Sequence, residues 1–246
     1  MIHIFSTPEA LLPALADFIV LQAREAIQQH GRFSFVLSGG GSPKRLFELL
    51  ASPTYQSQIA WEHVYFFFGD ERYVPATHPD SNYLMAKKAL FDPLTIPEAQ
   101  VFRMNTDLSP AAGASAYEQA VRAYFGSSPV RFDFVLLGLG DNSHTASLFP
   151  HTTVLHEQTA LVKEIYVDEV GMYRITLTAP LINAAAQIVF LVYGTGKAEA
   201  VRHILEDARD IELYPAQLIT PATGELHWFL DQPAAARLKK QDGIVY

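Results

Sequence analysis

Residues 132–150 read FDFVLLGLGDNSHTASLFP. The first six, Phe132–Leu137, are almost continuously apolar. That is the pattern of a strand buried on both faces of a parallel sheet. Small and polar residues follow. Ligands of open α/β sheets bind outside the carboxyl ends of their strands, so this following segment is where chemistry is expected. Gly138-Leu139-Gly140 invites a dinucleotide-binding reading, but Ser143 stands where a third glycine is required, and the motif is rejected. His144 is placed at a strand-to-helix transition, where a neutral imidazole can take a proton from water. The competing reading of a lone histidine is a satisfied structural residue. His151 and His156 lie nearby, but their spacing matches no helical metal pair.

Working outward, four more β-rich runs appear: Phe33–Leu37, Val64–Phe68, Ile188–Tyr193 and Leu226–Leu230. Helix-like segments lie between them. Leu11, Leu12, Leu15, Ile19 and Ala23 share one face of residues 8–29. Residues 43–50, 81–91, 110–125 and 197–207 also read as helices. The alternation predicts an α/β fold with a mostly parallel sheet flanked by helices and right-handed crossovers. Residues 151–177 break the rhythm with two extended segments and a turn signal at Gly171, which predicts a small antiparallel excursion. Residues 1–246 are expected to form a single domain.

The chain has 246 residues, 49% of them hydrophobic and 18% charged, too apolar for disorder. Its net charge of −8 argues against a nucleic-acid partner, but a small phosphorylated ligand needs only a few local cations and amides. It has no cysteine, which excludes thiolate catalysis, disulfides and Cys-type metal sites. No apolar run reaches the length of a membrane span, and the first fifteen residues do not read as a signal peptide. The expected location is cytoplasmic.

Three further segments stand at strand ends. Ser38-Gly39-Gly40-Gly41-Ser42-Pro43 leads from a strand into a helix, with Ser42 read as the N-cap and Pro43 as the first helical residue. Free amides at such a helix start suit a phosphate; the alternative is a glycine-rich turn. Gly69-Asp70-Glu71-Arg72 follows VYFFF. In an extended segment Asp70 and Arg72 point the same way and can face one pocket; the alternative is a solvated loop with a local ion pair. Arg174, in a strand-like run, and Lys197, after a Gly-x-Gly turn, are either surface cations or partners for an anion held by the glycine loop.

Taken together, the blocks LSGGGSP, GDERYVP with SNY, GLGDNSHTASLFP, RITLTAPLIN and GTGKA resemble, in order and approximate spacing, the 6-phosphogluconolactonases within the wider glucosamine-6-phosphate deaminase-like family. The resemblance covers most of the chain. It implies a modified Rossmann-like sheet and hydrolysis of 6-phosphoglucono-1,5-lactone in the oxidative pentose phosphate pathway, with no redox cofactor; from the histidine spacing, no metal is expected. Gly39, Gly40, Gly41, Ser42, Arg174 and Lys197 match the family's phosphate-binding positions. Asp70 and Arg72 match its acidic and basic active-site positions, and His144 its proposed general base. The family commonly carries Asp-Gly before this histidine, where this chain has Asn142-Ser143. Asn142 can still hydrogen-bond but carries no charge, and Asp141 is one position early.

The expected catalytic set is therefore His144, Asp70, Arg72 and Asn142. Asp70 either holds a sugar hydroxyl or helps orient His144; the oxyanion is met either by backbone amides or by Arg72. Two rival readings stand beside this one. An amino-sugar phosphate deaminase or isomerase would carry Phe-Asn-Glu-Pro after the histidine, whereas Leu148-Phe149-Pro150 supplies no glutamate. A non-catalytic sugar-phosphate sensor is favoured only by Asn142-Ser143. The expected partner is a small sugar-phosphate lactone, with neither nucleic acid nor membrane, and the expected assembly is a monomer or homodimer.

Overall fold

The computed structural model describes residues 1–239 and the backbone of 244–245. Ten strands and eight α-helices follow in chain order: β1 (Ile2–Phe5), α1 (Pro8–His30), β2 (Phe33–Leu37), α2 (Gly41–Leu50), β3 (Val64–Phe68), β4 (Asp70–Arg72), α3 (Asn82–Ala86), α4 (Asp92–Leu94), α5 (Pro110–Phe125), β5 (Phe134–Leu137), β6 (Val162–Val167), β7 (Met172–Leu177), α6 (Ala179–Asn183), β8 (Gln187–Val192), α7 (Ala198–Glu206), β9 (Glu225–Asp231), α8 (Gln232–Ala235) and β10 (Ile244–Val245).

Seven strands form one sheet in the order β10-β1-β9-β8-β5-β2-β3, with every neighbouring pair parallel. The continuous apolar runs are explained by burial. All five residues of β2 and all four of β5 are inaccessible, as parallel strands covered on both faces must be. Helix α1 turns Leu11, Leu12, Leu15, Ile19 and Ala23 onto the sheet, and Gly31 ends it in the left-handed conformation at φ 80°. Trp228 stacks on Phe190 inside the core, centroids 3.9 Å apart.

The predicted antiparallel excursion is a second sheet, β4-β7-β6. Its β6–β7 hairpin turns at Asp168–Val170 and Gly171, whose φ of 59° suits glycine. β4, three charged residues without an apolar signature, completes it by pairing with β7. The helix expected at 81–91 is α3 continued through a π turn at Lys87–Phe91 into α4.

From β2 the chain places β3 on one side and β5 on the other. This reversal of strand order is a topological switch point, where diverging connections leave a crevice at the carboxyl ends. The loops after β2 and β5 therefore flank one crevice, and the second sheet contributes Asp70, Arg72 and Arg174 to its wall.

Candidate active site

A cleft of about 340 Å³ opens at this point. Gly39, Gly40, Gly41, Ser42, Asp70, Arg72, His144, Arg174 and Lys197 all line it. Asn142 does not, but it touches His144 from behind. The lining carries Arg72, Arg174 and Lys197 against Asp70 and Glu169, a local cationic excess in a chain of net charge −8.

The glycine loop is built for close approach. Gly40 sits at φ 104°, where a side chain is strained. A Cβ on Gly39 would overlap the side-chain amide of Asn82. Gly40, not Ser42, is the N-cap of α2, and Pro43 is its third residue rather than its first. The helix starts earlier than expected because Gly41 and Ser42 already have helical backbone. Their amides belong to the first turn, which has no acceptor within the helix.

His144 does not open a helix. Residues 138–152 are turns and loop, with Ser143, Ala146 and His151 all at positive φ. Three left-handed residues in nine are incompatible with a helix. The Gly-x-Gly that fails as a dinucleotide motif has another use here, because a Cβ on Gly140 would overlap the His144 imidazole. Asn142 Oδ1 accepts from the His144 backbone N–H at 3.3 Å and lies 2.5 Å from Nδ1. The backbone donor fixes the amide orientation, so Nδ1 carries the proton and donates, leaving Nε2 as the basic nitrogen. Burial pushes the His144 pKa down to about 4; nearby Asp70 opposes this, while Arg174, Lys197 and Arg72 reinforce it.

Asp70 is buried, accepting from Ser147 Oγ at 2.6 Å and Asn82 Nδ2 at 3.3 Å, with Arg174 Nη1 4.0 Å away. It makes no hydrogen bond to His144, whose Nδ1 is taken by Asn142. Asp141 pairs instead with Lys197 Nζ at 2.5 Å, so it does not stand behind the histidine in place of Asn142. Arg72 and Arg174 are directly opposite on β4 and β7. Arg72 donates to the Asp80 carbonyl at 2.8 Å, yet the Nε of each arginine is buried without an acceptor. Two juxtaposed guanidinium groups with unspent N–H donors form a place for an anion. His151 and His156 both face Glu212, at 3.6 and 2.8 Å, outside the cleft lining.

Sequence reasoning missed Asn82, Ser147, Phe149 and Glu169. Asn82 lies in the SNY block, and Ser147 and Phe149 in HTASLFP, so their signal was present. Glu169 carries no local signal; its carboxylate reaches Asn142 Nδ2 across 27 residues of chain, at 2.7 Å.

The arrangement matches known proteins over nearly its whole length. The family model described as glucosamine-6-phosphate isomerases/6-phosphogluconolactonase matches residues 6–228. A 6-phosphogluconolactonase of Nostoc sp. is 41% identical over 241 residues, covering 96% of this chain and 98% of the relative. The crystal structure of the devB protein superposes with a TM-score of 0.87 at 37% identity, covering 97% and 100% of the two chains. The 6-phosphogluconolactonase from Trypanosoma cruzi gives 0.85 at 28% identity, covering 97% of each. With a matched model spanning the glycine loop, both arginine strands and the histidine loop, the chain belongs to the glucosamine-6-phosphate isomerase/6-phosphogluconolactonase family.

Proposed function

We propose that the protein hydrolyses 6-phospho-D-glucono-1,5-lactone to 6-phospho-D-gluconate, the lactone step of the oxidative pentose phosphate pathway, with His144 as the water-activating base. The observation that carries this reading is the contact of Asn142 Oδ1 with both the backbone N–H and Nδ1 of His144. Asn142 holds the Nδ1 proton and leaves a lone pair on Nε2 of a ring that lines the cleft. The substrate phosphate docks on the amides of Gly39, Gly40, Gly41 and Ser42 with Arg174 and Lys197, and this remote anchor places the lactone carbonyl.

Nε2 removes a proton from water as the water oxygen attacks C1. The tetrahedral oxyanion is stabilised by Arg72, whose Nε has no acceptor among the described residues. Collapse breaks the bond from C1 to the ring oxygen, which takes the proton from the imidazolium. Asp70 favours the imidazolium electrostatically and accepts from a sugar hydroxyl. A phosphorylated substrate does not cross a bilayer unaided, which makes the cytoplasm our assignment of its place of action; no described helix is long and apolar enough to span a membrane.

The test is lactone opening at slightly acid pH, where the spontaneous reaction is slow, for wild type and His144→Ala. Acceleration that vanishes in the variant supports the reading. Near-normal turnover of pure His144→Ala refutes the base assignment. Ammonia release from glucosamine 6-phosphate would point instead to the deaminase chemistry of the family. Binding of 6-phosphogluconate without any acceleration would mark a sensor.

A further inference from the structure

A neutral amide, Asn142, stands behind the His144 imidazole, and a carboxylate stands directly behind that amide. Asn142 Oδ1 receives the His144 Nδ1 proton, and Asn142 Nδ2 donates to Glu169 Oε2 at 2.7 Å. Glu169 comes from the turn of the β6–β7 hairpin, a different element from the histidine loop, and it lines the same cleft. Asp141, the other nearby acid of that loop, is committed to Lys197. Asp70 spends its oxygens on Asn82 and Ser147.

We infer that Glu169 is the positioning residue for His144, acting through Asn142 as a carboxylate–amide–imidazole chain. The inference rests on His144 being the base. Its physical basis is polarisation along consecutive hydrogen bonds. A carboxylate accepting from the amide N–H makes the amide oxygen a stronger acceptor, which holds the Nδ1 proton and favours the imidazolium that forms when Nε2 takes a proton. A charged oxygen acting directly on the ring does the same in carboxylate–histidine pairs. Here the charge sits one amide further out and on a separate hairpin. The hairpin turn must therefore be docked on the histidine loop for the base to be fully oriented.

The test is a double-mutant cycle with a spectroscopic readout. Glu169 is exposed at a turn, so Glu169→Ala and Glu169→Gln are expected to fold, which thermal unfolding checks. In the wild-type background Glu169→Ala should lower kcat about three- to tenfold with KM nearly unchanged, the scale of one exposed charge-assisted hydrogen bond. Glu169→Gln, which keeps an acceptor but no charge, should fall between. In an Asn142→Asp background the charge is already next to the ring, so the same Glu169→Ala change should cost nothing or raise kcat. An equal loss in both backgrounds, or a loss in KM alone, overturns the proposal. Independently of turnover, nitrogen-15 NMR of the His144 ring at neutral pH should show the Nδ1–H tautomer in wild type and a weakened Nδ1 hydrogen bond in Glu169→Ala. An unmoved Nδ1 resonance overturns the positioning role. If wild type failed to open the lactone, the functional reading would fall while this ring signal still decided whether the chain of hydrogen bonds exists.

Discussion

The imidazole of His144 lies flat on the phenyl ring of Phe149, centroids 3.9 Å apart and planes 15° apart. This stacking removes water from one face of the ring. It is a physical source of the burial that depresses the pKa to about 4. The ring is therefore neutral, and able to accept a proton, at any pH near neutrality. Arg174, Lys197 and Arg72 add to the depression, and these are groups that an anionic ligand would neutralise. An NMR titration of ligand-free protein should place the His144 midpoint near 4. Saturation with 6-phosphogluconate should move it upward, because the bound phosphate offsets Arg174 and Lys197. A midpoint that stays put on binding would mean that the phosphate docks away from these groups.

The same shift has a consequence for stability. A histidine whose folded pKa is depressed binds its proton more weakly in the folded state than in the unfolded one. Its contribution is intact above the unfolded value of about 6.5 and is lost as pH falls from there toward 4. His3 and His227, stacked on each other and also depressed by burial, act in the same direction. The melting temperature should therefore drop between pH 7 and 4.5, and less steeply in His144→Asn than in wild type. Parallel pH profiles for the two proteins would show that His144 carries none of the effect.

Gly140→Ala tests the packing behind the base. The added methyl would overlap the imidazole, so the ring must move or the loop must open. A displacement of about 1 Å at a reacting group can cost about a hundredfold in rate. We expect kcat to fall by about that factor while calorimetric binding of 6-phosphogluconate is kept. Loss of ligand binding alone would show that Gly140 supports the phosphate pocket instead.

These cases show what the sequence could and could not convey. The runs at residues 33–37 and 64–68 became strands with the expected bounds, and the one at 188–193 shifted by a single residue, because burial on both faces leaves continuous apolar blocks. Asp70 and Arg72 share a face, as alternation in an extended segment requires, while Glu71 turns the other way. The helix expected at His144 failed because left-handed backbone at Ser143 and Ala146 has no compositional signature when glycine is absent. The pairing of β4 and the place of Glu169 were illegible for a different reason: each is defined by a partner on another element, Arg174 in one case and Asn142 in the other.

Arg174→Lys separates fork-like from point-charge recognition. The guanidinium is mostly buried, faces Arg72 across the strand pair and lies 4.0 Å from Asp70. Lysine keeps the charge but loses the planar donors that grip two oxygens. KM for the lactone and inhibition by inorganic phosphate should both weaken by about tenfold, with kcat changed less. A fall in kcat at constant KM would place Arg174 at the reacting carbon rather than at the phosphate.

Glu71 is where a buried carboxylate holds the frame of the site. Its two oxygens accept from the backbone N–H of Arg72 at 2.8 Å, of Asn82 at 2.7 Å and of Tyr83 at 2.8 Å, and from Ser81 Oγ at 3.0 Å. Three of those donors are amides that cannot reverse their role. In Glu71→Gln the new NH2 must face at least one of them, whichever way the amide is turned, leaving a buried N–H without an acceptor. The cost should be about 1–3 kcal/mol, readable as a lower urea midpoint. Because Asn82 packs against Gly39 and donates to Asp70, the variant should also bind 6-phosphogluconate more weakly. An unchanged midpoint with weakened binding would mean that Glu71 tunes the cleft without holding α3 in place.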